Sequence, residues 1–339
     1  MLTTAEAAPV CVIGGINMDI SGTPGAPLRV GDSNPGRITM SPGGVGRNIA
    51  ENLVRLGYRV FLISVLGGDA YANVIREHCG NVGIDLRYCL TDPLGRTSAY
   101  LCLNEEDGDL HAAIADMALC DQLTPARLEP LLPELNRSAL VFADANVPEE
   151  TLGWIAEHVT APLAADPVSV AKAGRLKPLL HRLCMIKPNL SEARLLCGER
   201  PEGGGTETGG TGDADTAETH AAEAGRAEPG IGDSPARLAE ELRRRGAERV
   251  FLSLGARGVW ADDRRGGTLL PCIPGPIVNT TGCGDAFAAG AADGFLRGLS
   301  TAECARRGLA AAAICAADPF PVSTRLSPEA VDLMLSVHR

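Results

Sequence analysis

The chain has 339 residues, of which 45% are apolar, 22% are charged and only 4% are aromatic. This is a globular composition with enough aliphatic side chains for a large core, and the length fits one large α/β domain or two ordinary ones. The formal net charge of −11 argues against a nucleic-acid surface, and no run approaches the roughly 20 apolar residues of a membrane span. We therefore expect neither a nucleic-acid nor a membrane partner.

The 11 cysteines are scattered, without a C-x-x-C pair or the spacing of a zinc site. Most lie in apolar runs, so reduced and buried thiols are expected. Residues 1–9 contain neither the basic segment nor the apolar stretch of a secretory signal. Both observations predict a cytoplasmic protein. Cys283 differs, because a helix N-terminus there would lower its pKa, although a small residue between two glycines is the simpler interpretation.

The first predicted strand covers residues 10–15, a short apolar run that ends in two glycines. Asn17 and Asp19 follow it. Ligands of open α/β sheets bind beyond the carboxyl ends of strands, so these side chains are placed to bond a polyol. An Asx-type turn is the alternative explanation for both residues.

Glycines then open the first predicted helix, at Gly43 and Gly44, and its apolar residues recur at helical spacing up to Gly57. Asn48 lies about one turn into this helix, where its amide would face the mouth of a site. The neighbouring Arg47 would face either phosphate or solvent, and solvent is the favoured interpretation.

A small sheet standing apart from the main layers is predicted from two segments, at about residues 20–41 and 95–116. The first is rich in Gly, Pro and Ser with weak alternation near its end. The second contains two strand patterns joined by the acidic turn 105–109, which is typical of a hairpin.

Strands and helices alternate after Thr124, and polar residues follow successive strands. Predicted strands at 139–143, 163–165, 183–186 and 249–254 are buried in character. The polar residues near the strand ends are Asp144, Asn146, Asp166, Asn189 and Glu192. Such recurrence predicts a site along one edge of a parallel sheet.

Residues 199–234 form a low-complexity stretch with nine acidic residues and two arginines, which together supply seven of the eleven net negative charges. Large apolar side chains are almost absent, so the segment cannot bury enough surface to offset its ordering entropy. It is predicted to be a disordered surface insertion.

The most informative stretch is residues 279–287, Asn-Thr-Thr-Gly-Cys-Gly-Asp-Ala-Phe, which a helix pattern follows. A glycine turn that opens a helix offers free N–H groups to a phosphate, and the helix dipole favours an ionised Asp285 in the first turn. An anion hole beside a carboxylate suits phosphoryl transfer to a hydroxyl. A Gly-rich loop that merely caps a packed helix explains the same pattern without chemistry.

Three motifs together resemble those of the ribokinase-like (PfkB) family of carbohydrate kinases, in the right order over nearly the whole chain. They are Gly43-Gly44 with Asn48, Lys187-Pro-Asn189 with Glu192, and residues 279–285. The resemblance implies an α/β fold for residues 8–339, a three-layer α/β/α sandwich with a mostly parallel central sheet and a small β lid. It also implies an ATP-dependent phosphotransferase that uses Mg²⁺.

Within the family, the chain is most similar to the pseudouridine kinases. The stretches that carry this similarity are residues 32–36, 42–50, 97–101, 113–117 and 166–169. The implied reaction is transfer from ATP to the 5′-hydroxyl of pseudouridine. Two alternatives stay open: a kinase for another nucleoside or for a free sugar such as ribose, and a catalytically silent ligand-binding protein on the same fold.

The resemblance implies a role for each motif residue. Asp285 would be the general base, and the N–H groups of the preceding residues would form the anion hole. These hole residues are Gly282, Cys283 and Gly284. The acceptor would be held by Asn17, Asp19, Gly43, Gly44, Asn48 and Asn146, with Thr97 and Asp116 in the lid and base-contacting region. Asn189 and Glu192 would act near Mg²⁺, the latter through water, and Ser253, Gly255 and Gly258 would line the nucleotide.

Two departures from the family pattern affect these expectations. Cys283 replaces the usual Ala, which is a modest change in size. Asn279 replaces the usual Asp beside a loop that binds a monovalent cation in family members, which weakens the expectation of a K⁺ site at Asn279 and Thr281. The resemblance also makes a homodimer through the lid edges plausible.

Overall fold

The computed structural model describes residues 8–106, 110–199 and 234–338. Its strands, in chain order, are β1 (Val10–Ile13), β2 (Asn17–Pro24), β3 (Gly36–Gly43), β4 (Val60–Ile63), β5 (Val65–Leu66), β6 (Ile84–Asp85), β7 (Leu90–Thr91), β8 (Ala99–Asn104), β9 (Leu110–Asp116), β10 (Leu140–Asp144), β11 (Leu163–Asp166), β12 (Leu183–Ile186), β13 (Val250–Ser253), β14 (Val259–Asp263) and β15 (Gly266–Leu270).

The helices are α1 (Val45–Arg55), α2 (Ala70–Val82), α3 (Pro125–Leu128), α4 (Leu132–Arg137), α5 (Glu149–His158), α6 (Val170–Ala173), α7 (Leu190–Leu196), α8 (Pro235–Arg244), α9 (Cys283–Leu296), α10 (Thr301–Ala316) and α11 (Pro328–Val337). Short 3₁₀ helices lie at Ala118–Gln122, Glu129–Leu131, Gly174–Arg182 and Gly255–Arg257. The predicted acidic insertion, 199–234, lies outside the described residues except for its two end residues.

The central sheet has nine strands in the order β15-β14-β13-β12-β11-β10-β1-β4-β6. All neighbours from β13 to β6 pair in parallel, and β14 runs antiparallel to both β13 and β15. The carboxyl ends of six strands from β13 to β4 therefore meet at one edge of the sheet. This edge is where an open α/β fold binds its ligands.

Helices cover both faces of this sheet. Alternate residues of a strand point to opposite faces: in β1, Val10 and Val12 face one core cluster, while Cys11 and Ile13 face the other. The first cluster includes side chains of α1, α2, α9 and α10, and the second includes side chains of α5, α7 and α8. The predicted three-layer α/β/α sandwich is confirmed, and continuous burial explains why its strands are unbroken apolar runs.

Small residues allow a close approach of α9 and α10. These helices pack so closely that a methyl group added at Gly290 would lie 2.6 Å from the carbonyl oxygen of Arg307. Buried alanines line much of the two helices, and Phe287 of α9 packs against Gly308 of α10. The close approach fixes the position of α9, whose first turn reaches the sheet edge.

A separate sheet of four strands, in the order β3-β2-β8-β9, forms the lid. β2 pairs antiparallel with β3 and parallel with β8, and β8 pairs antiparallel with β9. Asp19 and Tyr100 are register partners on one face of this sheet. The opposite face carries exposed apolar side chains such as Ile38 and Ile114. Across the described ranges, no helix combines the length and the apolar character required to cross a bilayer.

Candidate active site

Polar groups from four adjacent parallel strands meet at the carboxyl edge of the sheet. Asp144 ends β10 and Asp166 ends β11, and the two residues are register partners. Lys187 follows β12 directly, and Ser253 ends β13. The predicted site along one edge therefore has a geometric basis in the parallel pairing of these strands.

The glycine turn before α9 brings its first residues onto this edge. Gly282 is the helix N-cap with φ 79°, and a methyl group on it would lie 2.0 Å from the carbonyl oxygen of Pro321. Glycine is therefore required both by the backbone conformation and by the space. The first helical hydrogen bond runs from Ala286 N to Gly282 O, so the earlier N–H groups lie at the open end of the helix.

One of the predicted anion-hole donors is already engaged. The backbone N–H of Cys283 donates to the carbonyl of Thr280 at 3.2 Å. A phosphate at this turn would therefore meet the N–H groups of Gly284 and Asp285 at the start of the helix more readily than that of Cys283.

Asp285 lies in the first turn of α9 and is 9% exposed. Its Oδ2 accepts a hydrogen bond of 2.8 Å from Nδ2 of Asn48, which comes from the first turn of α1. Burial, followed by the neighbouring carboxylate of Asp166, raises the pKa of Asp285 to about 7, against the opposing effects of Asn48 and Lys187. The dipole alone would have kept Asp285 ionised at neutral pH, but burial and like charge outweigh it. A carboxylate with a pKa near neutrality suits a general base.

Lys187 is a site residue that the sequence interpretation quoted only as part of a motif. Its Nζ lies 3.1 Å from Oδ2 of Asp166, and a methyl group added at Gly284 would lie 2.9 Å from the same Nζ. Burial lowers the pKa of Lys187, but Asp166, Glu192 and Asp285 raise it by more. A charged ammonium group therefore lies against the glycine turn, where a transferred phosphoryl group would sit.

The predicted acceptor residues of β2 and α1 lie together. Asn17 donates from Nδ2 to Oδ1 of Asp19 at 2.6 Å. A methyl group on Gly43 would lie 2.0 Å from Oδ2 of Asp19, and Gly44 has φ 99° and approaches the carbonyl of Gly15. The two glycines thus allow the lid strand and the helix start to close around the Asp19 carboxylate, whose pKa is raised by burial.

Asp144 and Asn146 complete the acceptor side. Asp144 is fully buried and accepts hydrogen bonds of 2.8 Å from the backbone N–H groups of Gly15 and Asn146. Burial raises its pKa to about 6. The amide oxygen of Asn146 accepts a hydrogen bond of 3.1 Å from Nζ of Lys172 on α6.

The two residues predicted for the lid and the nucleobase are placed differently from the rest. Thr97 donates its hydroxyl to Asp69 at 2.7 Å and accepts from the backbone of Gly67, so it braces the loop before α2. Asp116 is mostly exposed, 3.8 Å from Arg96, and its register partner is Ala99. It lies on the lid face opposite to Asp19, because alternate residues point to opposite faces.

Tyr100 is the aromatic residue on the face of the lid that carries Asp19, and the sequence interpretation did not single it out. It is half-buried and in register with Asp19. Period-two alternation from Asp19 across the β2–β8 pair would have pointed to it, but the parallel pairing and its register are non-local and were unknown.

The residues predicted to bind the nucleotide lie at the ends of β12 and β13, whereas Asp144 and Asp166 lie at the ends of β10 and β11, beyond Lys187 in the strand order. Asn189 and Glu192 form a capping box at the start of α7, with reciprocal hydrogen bonds of 2.8 Å. Asn189 also forms an isolated bridge with Ser253. Gly255 and Gly258, with φ of 59° and 100°, form the turn that leads into β14. This arrangement places a turn of small residues beside the phosphate side of the site.

The carboxylates at this edge suit a hydrated Mg²⁺ better than one held by protein ligands alone. The described ranges contain no group of three or more His, Cys, Asp or Glu side chains able to hold a metal by themselves. Mg²⁺ bound mainly by water and phosphates needs only one or two carboxylates. Oδ2 of Asp166 is buried, with the Lys187 ammonium 3.1 Å away and no further hydrogen bond among the described residues, and the Glu192 carboxylate is near enough to raise the pKa of the same lysine. A hydrated Mg²⁺ therefore fits this donor set.

In the loop before α9, the Asn279 side chain does not suit the expected K⁺ site. Asn279 donates from Nδ2 to the carbonyl of Pro319 at 3.0 Å, and its Oδ1 accepts from Thr281 N at 2.9 Å. Both ends of the amide are engaged, and an N–H rather than an oxygen faces the Pro319 carbonyl. The Asn279 side chain thus brings no negative charge to a cation here, and its one oxygen already accepts a hydrogen bond.

Comparison with known proteins agrees with this fold. A model of the pfkB family carbohydrate kinases matches residues 7–319. The pseudouridine kinase of Escherichia coli (strain K12) is 33% identical over 300 residues, which cover 88% of this chain and 87% of that protein. A solved structure of a carbohydrate kinase from Agrobacterium tumefaciens aligns with a TM-score of 0.78 at 31% identity, over 97% of both chains. Arabidopsis thaliana ribokinase, solved with ribose and ATP, shares the fold with a TM-score of 0.79 at 21% identity, over 97% of this chain and 99% of that chain.

Proposed function

The chain belongs to the pfkB family of carbohydrate kinases, and we propose that it transfers the γ-phosphoryl group of ATP to the 5′-hydroxyl of pseudouridine. Membership of the family and the ribokinase-like fold confirm the coarser part of the sequence-based prediction, and a kinase of this family implies ATP as the donor. The identity of the acceptor, the metal and the residue roles belong to the proposal.

The observation that carries the proposal is the position of Asp285. This buried carboxylate lies at the open start of α9, beside the Lys187 ammonium and within hydrogen-bonding distance of Asn48. The 5′-oxygen attacks the γ-phosphorus, its proton passes to the Asp285 carboxylate, and the bond to the ADP oxygen breaks. The N–H groups of the α9 turn and Lys187 stabilise the charge on the moving phosphoryl group.

Mg²⁺ bound to the ATP phosphates would supply further charge neutralisation, with Asp166 and Glu192 as the nearby carboxylates that meet its water shell. The ribose hydroxyls would bond Asn17 and Asp19, whose side chains lie on the site face of the lid. Tyr100 on that same face provides an aromatic surface for the nucleobase.

Pseudouridine is proposed because a pseudouridine kinase is similar over nearly the whole chain. Its base presents an N–H where uridine has the glycosidic nitrogen. A site that bonds this group discriminates by roughly 1–3 kcal/mol, the value of a buried hydrogen bond.

The test is ATP consumption with Mg²⁺ on pseudouridine, uridine, adenosine and ribose, each at several concentrations. We expect the highest kcat/KM on pseudouridine, at least about fivefold above uridine, which corresponds to the lower end of that range. Equal rates on uridine and pseudouridine would refute specificity for pseudouridine but would still support a nucleoside kinase. Binding of pseudouridine without turnover of any acceptor would favour the silent binding protein.

A free sugar is the second candidate acceptor. The carbohydrate kinase from Agrobacterium tumefaciens is 31% identical to this chain, which is close to the identity with the pseudouridine kinase. Highest turnover on ribose would select this alternative and would assign another role to Tyr100.

Two further parts of the proposal concern the setting of the enzyme. All 11 cysteines are free, which supports a reducing compartment such as the cytoplasm.

The exposed Ile38, Met40 and Ile114 on the outer face of the lid support association with a second copy. Light scattering of the wild type and of a variant with Ile38→Glu and Ile114→Glu tests this association.

A further inference from the structure

Arg47 is almost completely buried in the first turn of α1, with 3% of its side chain exposed. The sequence interpretation favoured a solvent-facing arginine, and the structure shows that this is wrong. A buried guanidinium group is costly unless it is paired and hydrogen-bonded, so the contacts that hold it indicate what it does.

One end of the Arg47 guanidinium is anchored by Glu51, one turn further along α1. Nη1 of Arg47 donates to Oε2 of Glu51, and Arg55 donates to Oε1 from Nε at 3.0 Å and from Nη2 at 2.6 Å. His78 of α2 lies 3.0 Å from Oε2 of Glu51. Burial alone would raise the pKa of Glu51, but His78, Arg47 and Arg55 lower it to about 2. Glu51 is therefore a fixed anion that holds Arg47 in place.

The other end of the guanidinium contacts the catalytic apparatus. Nη2 of Arg47 donates to Oδ1 of Asn48, and Nδ2 of Asn48 donates to Oδ2 of Asp285 at 2.8 Å. A reversed Asn48 amide would place two donors against each other at Arg47 and two acceptors at Asp285. Only one orientation of the amide satisfies both neighbours.

We propose that Arg47 is a positioning residue that fixes the Asn48 amide, so that an N–H donor always faces the Asp285 carboxylate. The chain of contacts runs from Glu51 through Arg47 and Asn48 to Asp285, and each member is at most 9% exposed. The cationic donor on Oδ1 also polarises the amide and strengthens the N–H bond to Asp285. This proposal rests on the proposed function in one respect, namely that Asp285 is the general base.

The consequence concerns the protonation of Asp285. Its carboxylate faces Asp144 and Asp166 from the sheet, Lys187 after β12, and the thiols Cys283 and Cys315. The Asn48 hydrogen bond favours the ionised form against burial and the two carboxylates. Without Arg47 the amide is free to rotate, and Asp285 keeps its proton to a higher pH.

The decisive experiment is a ¹³C NMR titration of protein labelled at aspartate carboxyl carbons, with the Asp285 signal assigned by its loss in Asp285→Asn. We expect Arg47→Met to raise the pKa of Asp285 by about one unit, the equivalent of one hydrogen bond. The acidic limb of kcat/KM, measured on the best acceptor, should move up by the same amount. KM for ATP should stay unchanged.

Two further variants distinguish an effect of Arg47 on the position of the Asn48 amide from an effect on folding. Arg55→Met removes a partner of Glu51 that does not contact Asn48, so its Asp285 pKa should equal that of the wild type. The double variant of Arg47→Met and Glu51→Met removes the buried anion that the single variant leaves short of a partner. It should regain thermal stability but keep the raised Asp285 pKa.

An unchanged Asp285 pKa in Arg47→Met, or recovery of the wild-type pKa in the double variant, would overturn the proposal. The NMR titration needs no turnover, so it decides the role of Arg47 even if pseudouridine proves not to be the acceptor. Failure on every acceptor would count against the proposed function and leave the titration result intact.

Discussion

Replacing Lys187 with methionine tests the electrostatic design of the site most directly. Nζ of Lys187 lies 3.1 Å from Oδ2 of Asp166, and the two side chains are 11% and 5% exposed. At an effective dielectric constant of about 20, unit charges at this separation attract by about 5 kcal/mol, part of which offsets their desolvation. Methionine keeps most of the volume and removes the charge.

Stability and catalysis should respond separately to this change. Removing one member of a buried ion pair costs about 3–5 kcal/mol, and the lower end applies here because Asp166 can take up a proton. Loss of a preorganised charge at the moving phosphoryl group should lower kcat by about 10²–10³. Lys187 also opposes the raised pKa of Asp285, so the acidic limb of kcat/KM should move above its wild-type position near pH 7.

The measurement is kcat and kcat/KM between about pH 6 and pH 9, together with thermal unfolding in the same buffers. The matched control is Lys177→Met, which removes an exposed lysine in the 3₁₀ helix Gly174–Arg182. It should leave the pH profile and the melting temperature unchanged. A Lys187→Met enzyme with wild-type kcat and an unmoved acidic limb would show that the ammonium group does not act on the phosphate or on Asp285.

Asp285→Asn should abolish most turnover while leaving ATP binding intact. The same variant also tests the raised pKa. Burial and Asp166 raise the pKa of Asp285 from 3.8 to about 7, so in that pH range the folded state binds a proton that the unfolded chain lacks. Wild-type stability should therefore fall as pH rises from about 4 to 7, and calorimetry should find the variant more stable by up to about 4 kcal/mol at pH 8 but not at pH 4; equal stability at both pH values would contradict the raised pKa. Wild-type turnover should be the same in K⁺ and in a large organic cation, because both ends of the Asn279 amide are engaged. The variant Asn279→Asp should introduce K⁺ stimulation. A several-fold K⁺ effect on the wild type would refute this interpretation.

The sequence alone predicted the strands and helix starts that are determined by a local pattern of residues. Short apolar runs ending in polar residues predicted the strands and their functional edge, because parallel strands are buried on both faces. The glycines at 43–44 and 282–284 predicted two helix starts at the site. The strands β6 and β7 were not predicted, because two residues carry no period.

The remaining site features depend on contacts between distant parts of the chain. Thr97 belongs to a motif, but its hydroxyl is bonded to Asp69, and only the fold brings these two residues together. Arg47 looked like a surface residue because its local partners, Glu51 and Asn48, do not reveal that α2 packs over it, with His78 lying 3.3 Å from Nη1 of Arg47 and 31 positions away in sequence. Side-chain direction in the lid required the register of two strands whose paired residues, such as Asp19 and Tyr100, are 81 positions apart in sequence. None of these facts has a signature in a short window of sequence.

The protonation of Asp285 shows why such non-local contacts matter for function. A helix dipole and a glycine turn, both visible in the sequence, favour an ionised carboxylate. The fold adds burial, two further carboxylates, one ammonium group and one oriented amide, and these shift the pKa to about 7. Asp285 can then accept a proton from the acceptor hydroxyl near neutral pH and release it between turnovers. Lys187 acts on this carboxylate through its charge and Arg47 acts on it through Asn48, so changing either one should move the same acidic limb upward.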